Sequence, residues 1–294
     1  MRALSVGIIG AGRVGATLGA ALIRAGHRVV SAAAVSVASR DRIRSYLPDA
    51  EIRPADTVAD GVDLLLLAVP DDALAGLVAG LTEAGAIRPG LVVAHTSGAH
   101  GTAVLAPATA AGARPLALHP AMTFTGRAED LDRLAGISFG VTAPADVRPL
   151  ATRLVADLGG VPEWIDEADR PLYHAALAHG ANHLVTLVNE AMDRLRDAGV
   201  LHPERVLAPL LRAALDNTLS YGDAALTGPV ARGDAGTLAG HLAVLRQTAP
   251  ESVPAYVALA RRTADRAIAS GRLPAADAGD LLGVFADNAS EVPA

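Results

Sequence analysis

The stretch VGIIGAGRVGATLGAAL, Val6 to Leu22, decides how the chain is read. An apolar run leads to Gly10, Gly12 and Gly15 in the spacing G-x-G-x-x-G, and an alanine-rich helical pattern follows. Strand, glycine turn and helix in that order form the pattern of a dinucleotide site. Gly10 permits the tight turn, Gly12 lets backbone approach a pyrophosphate, and Gly15 lets the helix pack on the strand. The phosphates then lie on the helix N-terminus. The candidate cofactor loop is therefore Gly10, Ala11, Gly12, Arg13, Val14 and Gly15. Glycine also serves plain strand–helix connections, but the context on both sides favours the cofactor reading. An arginine before an apolar run imitates a signal peptide; the glycine spacing and the lack of a cleavage region point away from one.

Outward from this motif, short apolar runs alternate with helical patterns. Strands are expected at Leu4–Ile9, Arg28–Val37, Val62–Val69, Leu91–His95, Pro115–His119, Ile137–Thr142 and Val161–Ile165. Runs such as DLLLLAV are apolar throughout, which suits strands covered on both faces by helices. The fold class expected is α/β, a doubly wound (Rossmann) parallel sheet followed by an all-helical domain. The boundary is expected at 166/167. Asp169–Ala198 reads as one long helix, with others at Pro203–Leu219, Asp234–Leu245, Ser252–Ala269 and Ala275–Phe285. Asp72, Asp234 and Ser252 suit N-caps. The terminal NASEVPA is expected to fray.

Composition narrows the function. The 294 residues are 51% hydrophobic with a net charge of −6, enough apolar material for a large core. No basic block is present, which argues against nucleic acid as a partner. The chain has no cysteine, so it has no disulfide and no thiolate chemistry. All 25 Lys/Arg residues are arginine, so no step uses a lysine Schiff base or a lysine acid. The long uncharged stretches are broken by Gly, Pro, His and Asn and do not read as membrane spans. A soluble cytoplasmic protein is expected.

An NAD site usually ends its second strand with an acid that binds the ribose 2′-hydroxyl. No acidic residue occurs from Gly26 to Ser39. Ser39 and Arg40, in ASRDR, suit a 2′-phosphate, because arginine binds phosphate through two donors. NADP is therefore favoured over NAD; Arg40 and Arg42 as solvated residues, with Asp41 serving NAD, is the alternative. In AVPDDAL, backbone at Val69 and Pro70 is placed to lie along a nicotinamide ribose.

The stretch HTSGAHG sets Ser97 between His95 and His100. It lacks the G-x-S-x-G elbow of a hydrolase nucleophile. It does begin at the carboxyl end of a strand, where open α/β sheets bind ligands. Ser97 and Gly98 are candidate substrate contacts; a helix-capping serine is the plainer alternative. LALHPAMTF puts His119 at the same edge, suited to exchange a proton with a carbonyl or hydroxyl. A structural histidine bonded to backbone is its alternative. In YHAALAHGANHLVTLVNE, His174 and Asn182 are the chosen site residues. His179 and His183 have metal spacing, but no third ligand follows at a typical position, and no metal is assigned. In LTGPVARGD, Arg232 sits on a glycine-rich loop suited to a substrate carboxylate; a surface arginine in a capping turn is the alternative.

GIIGAGRVG, AVPDD, HTSGAHG, LHPAMTF, YHAALAHGANH and LTGPVARGD together resemble the 6-phosphogluconate-dehydrogenase-like superfamily. The similarity is to its Rossmann-like NADP oxidoreductases with a helical C-terminal domain of unknown function, and to an alternative type of ketopantoate reductase. That resemblance implies that Ser97 holds substrate, as in β-hydroxyacid and prephenate dehydrogenases. It implies that His119 engages a substrate hydroxyl, and that Asn182 is the helix asparagine of such enzymes. Their lysine one turn earlier is Ala178 here, so His119 or His174 takes the proton-transfer role. The expected function is reduction of a small 2-oxo acid, ketopantoate among them, with a homodimer formed through the helical domain. An imine reductase or a prephenate-dehydrogenase-like enzyme on the same scaffold is the second reading. A non-catalytic NADP-binding regulator is the third.

Overall fold

A computed structural model describes residues 2–287 and divides the chain into two compact units, Met1–Ala181 and Asn182–Ala294. The tail NASEVPA lies outside the described residues.

The first unit holds one sheet of eight strands: β1 (Ser5–Ile9), β2 (Arg28–Ala33), β3 (Glu51–Ile52), β4 (Leu64–Leu67), β5 (Val92–His95), β6 (Arg114–Pro120), β7 (Ser138–Thr142) and β8 (Val161–Trp164). Their spatial order is β3-β2-β1-β4-β5-β6-β7-β8. Pairing is parallel everywhere except between β6 and β7. The doubly wound expectation therefore holds, with one antiparallel junction. Strand β3, two residues long, is too short to leave a periodic signal.

Strand β4 shows why the apolar runs lack alternation. Leu64 and Leu66 enter one core with Val6, Ile8, Leu18 and Leu22, while Leu65 and Leu67 enter another with Leu74, Val78 and Leu105. Successive side chains point to opposite faces, and both faces are covered. The covering helices are α1 (Arg13–Arg24), α2 (Val37–Tyr46), α3 (Asp71–Glu83), α4 (Ala106–Ala110), α5 (Glu129–Arg133) and α6 (Arg148–Asp157), followed by α7 (Arg170–Leu177).

The second unit contains α8 (His183–Asp197), α9 (Pro203–Tyr221), α10 (Ala235–Thr248), α11 (Val253–Ala269) and α12 (Gly279–Asp287). Its core is made by Leu238 and Leu242 of α10, Val257, Ala260, Ala264 and Ala267 of α11, and Leu281 and Phe285 of α12. Asp234 caps α10 as expected, accepting from the Thr237 amide at 3.0 Å. Ser252 stands at the N-cap of α11, but its hydroxyl accepts from Arg194 at 2.9 Å instead of capping.

Three sequence expectations are corrected. Strand β2 ends at Ala33, and Ser36 starts α2, accepting from the Ser39 amide at 3.1 Å. Ser39 and Arg40 thus occupy the first turns of a helix, not a strand end. Helix α3 has Pro70 at its N-cap, and Asp71 and Asp72 lie in its first turn without a capping bond. The single helix expected over 169–198 is interrupted by a π-turn at Ala178–Asn182 between α7 and α8. Gly180 within that turn weakens the α-helical preference.

Candidate active site

Parallel strands share one polarity, so their carboxyl ends gather at one edge of the sheet. The loops after β1, β4, β5 and β6 all open there. Strand β1 lies between β2 and β4, where the order reverses, which is where open α/β sheets form a ligand crevice.

The glycine loop has the geometry of a phosphate cradle. Gly10 has φ +93°, a left-handed value that disfavours side chains. A Cβ on Gly15 would lie 2.3 Å from the Gly10 carbonyl oxygen, so no side chain fits between turn and helix. A Cβ on Gly12 would meet nothing within 4 Å. Gly12 is also the N-cap of α1, with no side chain bonded to the first amides. Close packing behind and open amides in front fit a dinucleotide pyrophosphate. Arg13 is exposed, Ala11 is buried, and Val14 packs on the core. Ala68 on β4's extension closes on Gly10, which brings Val69 and Pro70 beside the loop.

At the end of β2, Ser36, Ser39 and Arg40 surround the α2 N-terminus. Ser36 and Ser39 hydroxyls are 2.9 Å apart, and Arg40 Nε donates to the Ala34 carbonyl at 3.2 Å. Asp41 is engaged by Arg44 at 2.8 Å. The hydroxyls, the guanidinium and the positive end of the helix suit a 2′-phosphate. Ser36 was missed in the sequence because β2 was read as running through Val37.

The loops after β5 and β6 carry the polar core of the site. His95 is fully buried: its Nδ1 accepts from the Ser97 amide at 3.2 Å, and its Nε2 donates to the Gly101 carbonyl at 2.8 Å. Those partners assign the neutral Nε2–H tautomer. Burial holds its pKa at about 4, with Arg170 adding to the depression. His95 closes the loop, and Ser97 accepts from the His100 amide at 3.1 Å within it. The capping alternative for Ser97 is thus partly realised, as a turn.

Gly98 is the point of convergence. A Cβ there would lie 2.7 Å from His174 Cδ2 and 3.0 Å from His119 Nε2. The structure therefore brings together Ser97, Gly98, His119 and His174. The His119 and His174 rings meet edge to face, with centroids 6.1 Å apart. His119 Nδ1 lies 2.9 Å from the Tyr173 hydroxyl. Burial, then the Arg170 charge, hold the His119 pKa at about 4, while Asp71 pulls weakly the other way.

Three functional residues escaped sequence reasoning. Arg170 is only 1% exposed, and donates to Thr142 Oγ1 at 2.8 Å, Gly140 O at 3.0 Å and Ala117 O at 3.5 Å. Its Nη1 has no hydrogen-bond partner, and burial lowers its pKa. Tyr173 has its pKa raised by burial, and it lines an open pocket of about 320 Å³ with Asp166, Asp169 and Leu172. Glu167 accepts from the Thr102 and Ala103 amides at 2.7 and 3.1 Å, anchoring the loop after β5. Arginine before a proline reads as a solvated helix start, because arginine is rarely buried. Tyr173, directly before His174, was the one available signal.

Asn182 and Arg232 belong to the second unit. Asn182 is the last residue of the π-turn. Arg232 is exposed in the short 3-10 turn Val230–Arg232, ahead of Gly233 in a left-handed conformation. Among the described residues no group of three His, Asp or Glu side chains is placed to hold a metal ion. No described helix is long and apolar enough to cross a membrane.

Comparison with known proteins agrees with this architecture. Residues 1–120 match the Rossmann-like domain family, and residues 137–263 match the domain of unknown function DUF2520. The second match begins inside the sheet, at β7. No curated protein matches the chain. Among solved structures, it is similar to a Bacteroides fragilis protein described as a candidate NADP oxidoreductase. That match has 22% identity, covers 90% of this chain and 98% of that one, and has a TM-score of 0.74. An imine reductase from Myxococcus stipitatus in complex with NADP+ shares 16% identity over 89% and 94% of the chains, with a TM-score of 0.64. A 1-pyrroline-5-carboxylate reductase from Streptococcus pyogenes shares 17% identity over 90% and 98%, at 0.60. At these identities the likeness is one of fold.

Two outcomes follow from the geometry. Gly12→Val is expected to fold with an unchanged melting temperature yet lose NADP(H) affinity at least about tenfold, since its side chain fills only the cradle. Gly15→Val is expected to melt well below wild type; equal behaviour of the two variants by calorimetry and fluorescence titration would refute the cradle. The second outcome is acid sensitivity. His95 is held neutral at about 4 when folded, against about 6.5 unfolded. Its stabilisation is complete above 6.5 and drains as the pH falls towards 4, by about 1.4 kcal/mol per pH unit. Urea melts across that window are expected to show a shallower pH slope in His95→Phe.

Proposed function

We propose that the protein is an NADP-dependent reductase of a small 2-oxo acid, with ketopantoate the first substrate to test. The observation that carries this reading is the pair of imidazoles converging on Gly98, at the sheet edge that also bears the glycine loop. Gly10–Gly15 would hold the pyrophosphate, and Ser36, Ser39 and Arg40 the 2′-phosphate. Val69 and Pro70 would flank the nicotinamide ribose. A bound reduced nicotinamide supplies a hydride. The chain's own part is to bind and orient the acceptor and to give it a proton. Ser97 and the Gly98 backbone present hydrogen-bonding groups to the acceptor, and His119 turns Nε2 towards the same surface. A half-buried, neutral imidazole acts there as a hydrogen-bond donor to a carbonyl oxygen.

Imine reduction is the second reading, supported by the fold shared with the Myxococcus stipitatus and Streptococcus pyogenes enzymes. It needs the same hydride site and a different acceptor. A regulatory protein would bind the cofactor without turnover.

One assay series separates these readings. NADPH oxidation is expected with ketopantoate or a related 2-oxo acid, and His119→Ala is expected to lower kcat by about 10²-fold or more. Arg40→Ala is expected to weaken NADPH binding about tenfold and leave NADH binding unchanged. Oxidation with cyclic imines alone would select the imine reading, and cofactor binding with no acceptor reduced would select the regulatory one.

We also propose a homodimer formed through the second unit. Helix α8 has no buried residue, and α9 buries only Pro203. Their exposed Leu184, Val185, Leu187, Leu210, Leu215 and Leu219 give the two helices the apolar surface of an interface. Light scattering is expected to give twice the 29.7 kDa chain mass, and Leu210→Asp with Leu219→Asp is expected to give monomers.

A further inference from the structure

We infer that Tyr173 is the proton source behind His119, so that the two side chains form a relay ending at His119 Nε2. The identity of the proton's acceptor rests on the reductase reading above; the relay itself rests on geometry.

The phenol oxygen of Tyr173 lies 2.9 Å from His119 Nδ1, and the two rings meet edge to face at 5.6 Å. The same oxygen packs against the Gly140 backbone, where an added Cβ would lie 2.5 Å from it. Gly140 pairs with His119 across the antiparallel β6–β7 junction. His119 Nδ1 is the hydrogen-bond partner of the Tyr173 hydroxyl, so the phenol directs its proton to Nδ1. Nδ1 is then the acceptor, and Nε2 carries the hydrogen and faces Gly98.

Burial, then the Arg170 charge, keeps the ring from being an imidazolium, and Asp71 pulls the other way. A neutral imidazole that releases its Nε2 proton would become an imidazolate unless Nδ1 gains a proton in the same event. Tyr173 is placed to supply it.

The step balances. A bound reduced nicotinamide would supply the hydride for the new C–H bond, and the carbonyl oxygen would take up the C=O π pair. The Nε2–H bond breaks as the substrate O–H bond forms. The Tyr173 O–H bond breaks as Nδ1–H forms. The products are an alcohol, a neutral His119 of the opposite tautomer, and a Tyr173 phenolate. One proton from water restores the resting pair after the product leaves.

Arg170 explains how the phenolate is tolerated. Its guanidinium carbon lies 5.8 Å from the Tyr173 ring centroid. Its three hydrogen-bond acceptors are a hydroxyl and two carbonyls, all neutral, and Nη1 has none. Burial raises the Tyr173 pKa, and the Arg170 charge offsets part of that rise, because a phenolate neutralises the buried guanidinium. Tyr173 acts through His119 and is a positioning residue in this scheme.

The test starts with a spectrum that needs no turnover. In protein carrying ¹⁵N-histidine and no added ligand, with His119 assigned by His119→Gln, the ring is expected to be neutral at pH 7. Its Nε2 is expected to be protonated and its Nδ1 to accept. In Tyr173→Phe the Nδ1 resonance is expected to move towards the value of an acceptor without a hydrogen bond. An imidazolium, or an Nδ1–H tautomer in the wild type, would overturn the relay. In turnover, Tyr173→Phe is expected to lower kcat by about 10²-fold while both KM values stay within about threefold. Wild-type kcat in that variant would overturn it as well. Wild-type protein that reduces no acceptor would refute the reductase reading, and the ring spectra would still judge the relay.

Discussion

Strand β1 is hydrogen-bonded on both sides, and at its carboxyl end the two neighbours are tied to consecutive residues. The Gly10 amide donates to Ala33 of β2 at 3.0 Å, and the Ala68 amide beyond β4 donates to Ile9 at 2.8 Å. The chain leaves this junction through Gly10 in a left-handed conformation that a side chain would resist. Strands β2 and β3 then build to one side and β4 to β8 to the other. Because β1 to β6 run parallel, the loops after β1, β4, β5 and β6 emerge at one edge. The glycine loop, Val69 and Pro70, Ser97 and Gly98, and His119 share a location for that single reason.

The electrostatics of that edge are set from beneath. Arg170 crosses the β6–β7 junction, bonded to Ala117 O and Gly140 O, in the one antiparallel pairing of the sheet. A buried cation with neutral partners acts over several residues at once. It disfavours protonation of His95 and His119 and favours ionisation of Tyr173. The two depressed histidines nonetheless have different tasks. Both ring nitrogens of His95 are committed to the loop Ser97–Gly101, whereas His119 commits Nδ1 and leaves Nε2 towards Gly98.

Much of this was readable along the chain, and the failures have physical causes. Strands such as β4 and β5 appear as apolar runs because both faces of the sheet are covered there, whereas β8 lies exposed at the sheet edge; β3 has two residues and no period to detect. Ser39 and Arg40 were placed at a strand end although they lie in the first turns of α2, because β-branched and small residues continue past Ala33 without a break. The π-turn at Ala178–Asn182 escaped because Gly180 weakens a helix pattern without ending it. Glu167, Arg170 and Tyr173 look like an ordinary charged helix start. Their partners, Thr102, Gly140 and His119, lie on other elements.

What the sequence by itself determined was local: the glycine turn, the covered strands, the polarity that follows from alternating strand and helix, and the absence of a cysteine or lysine chemistry. Each depends on backbone constraints acting within some ten to twenty residues, so it is written in spacing. Which histidine closes a loop and which presents a donor was decided only in the tertiary structure. Tautomer and charge depend on burial and on hydrogen-bond partners, and for His119 the deciding hydroxyl is 54 residues away.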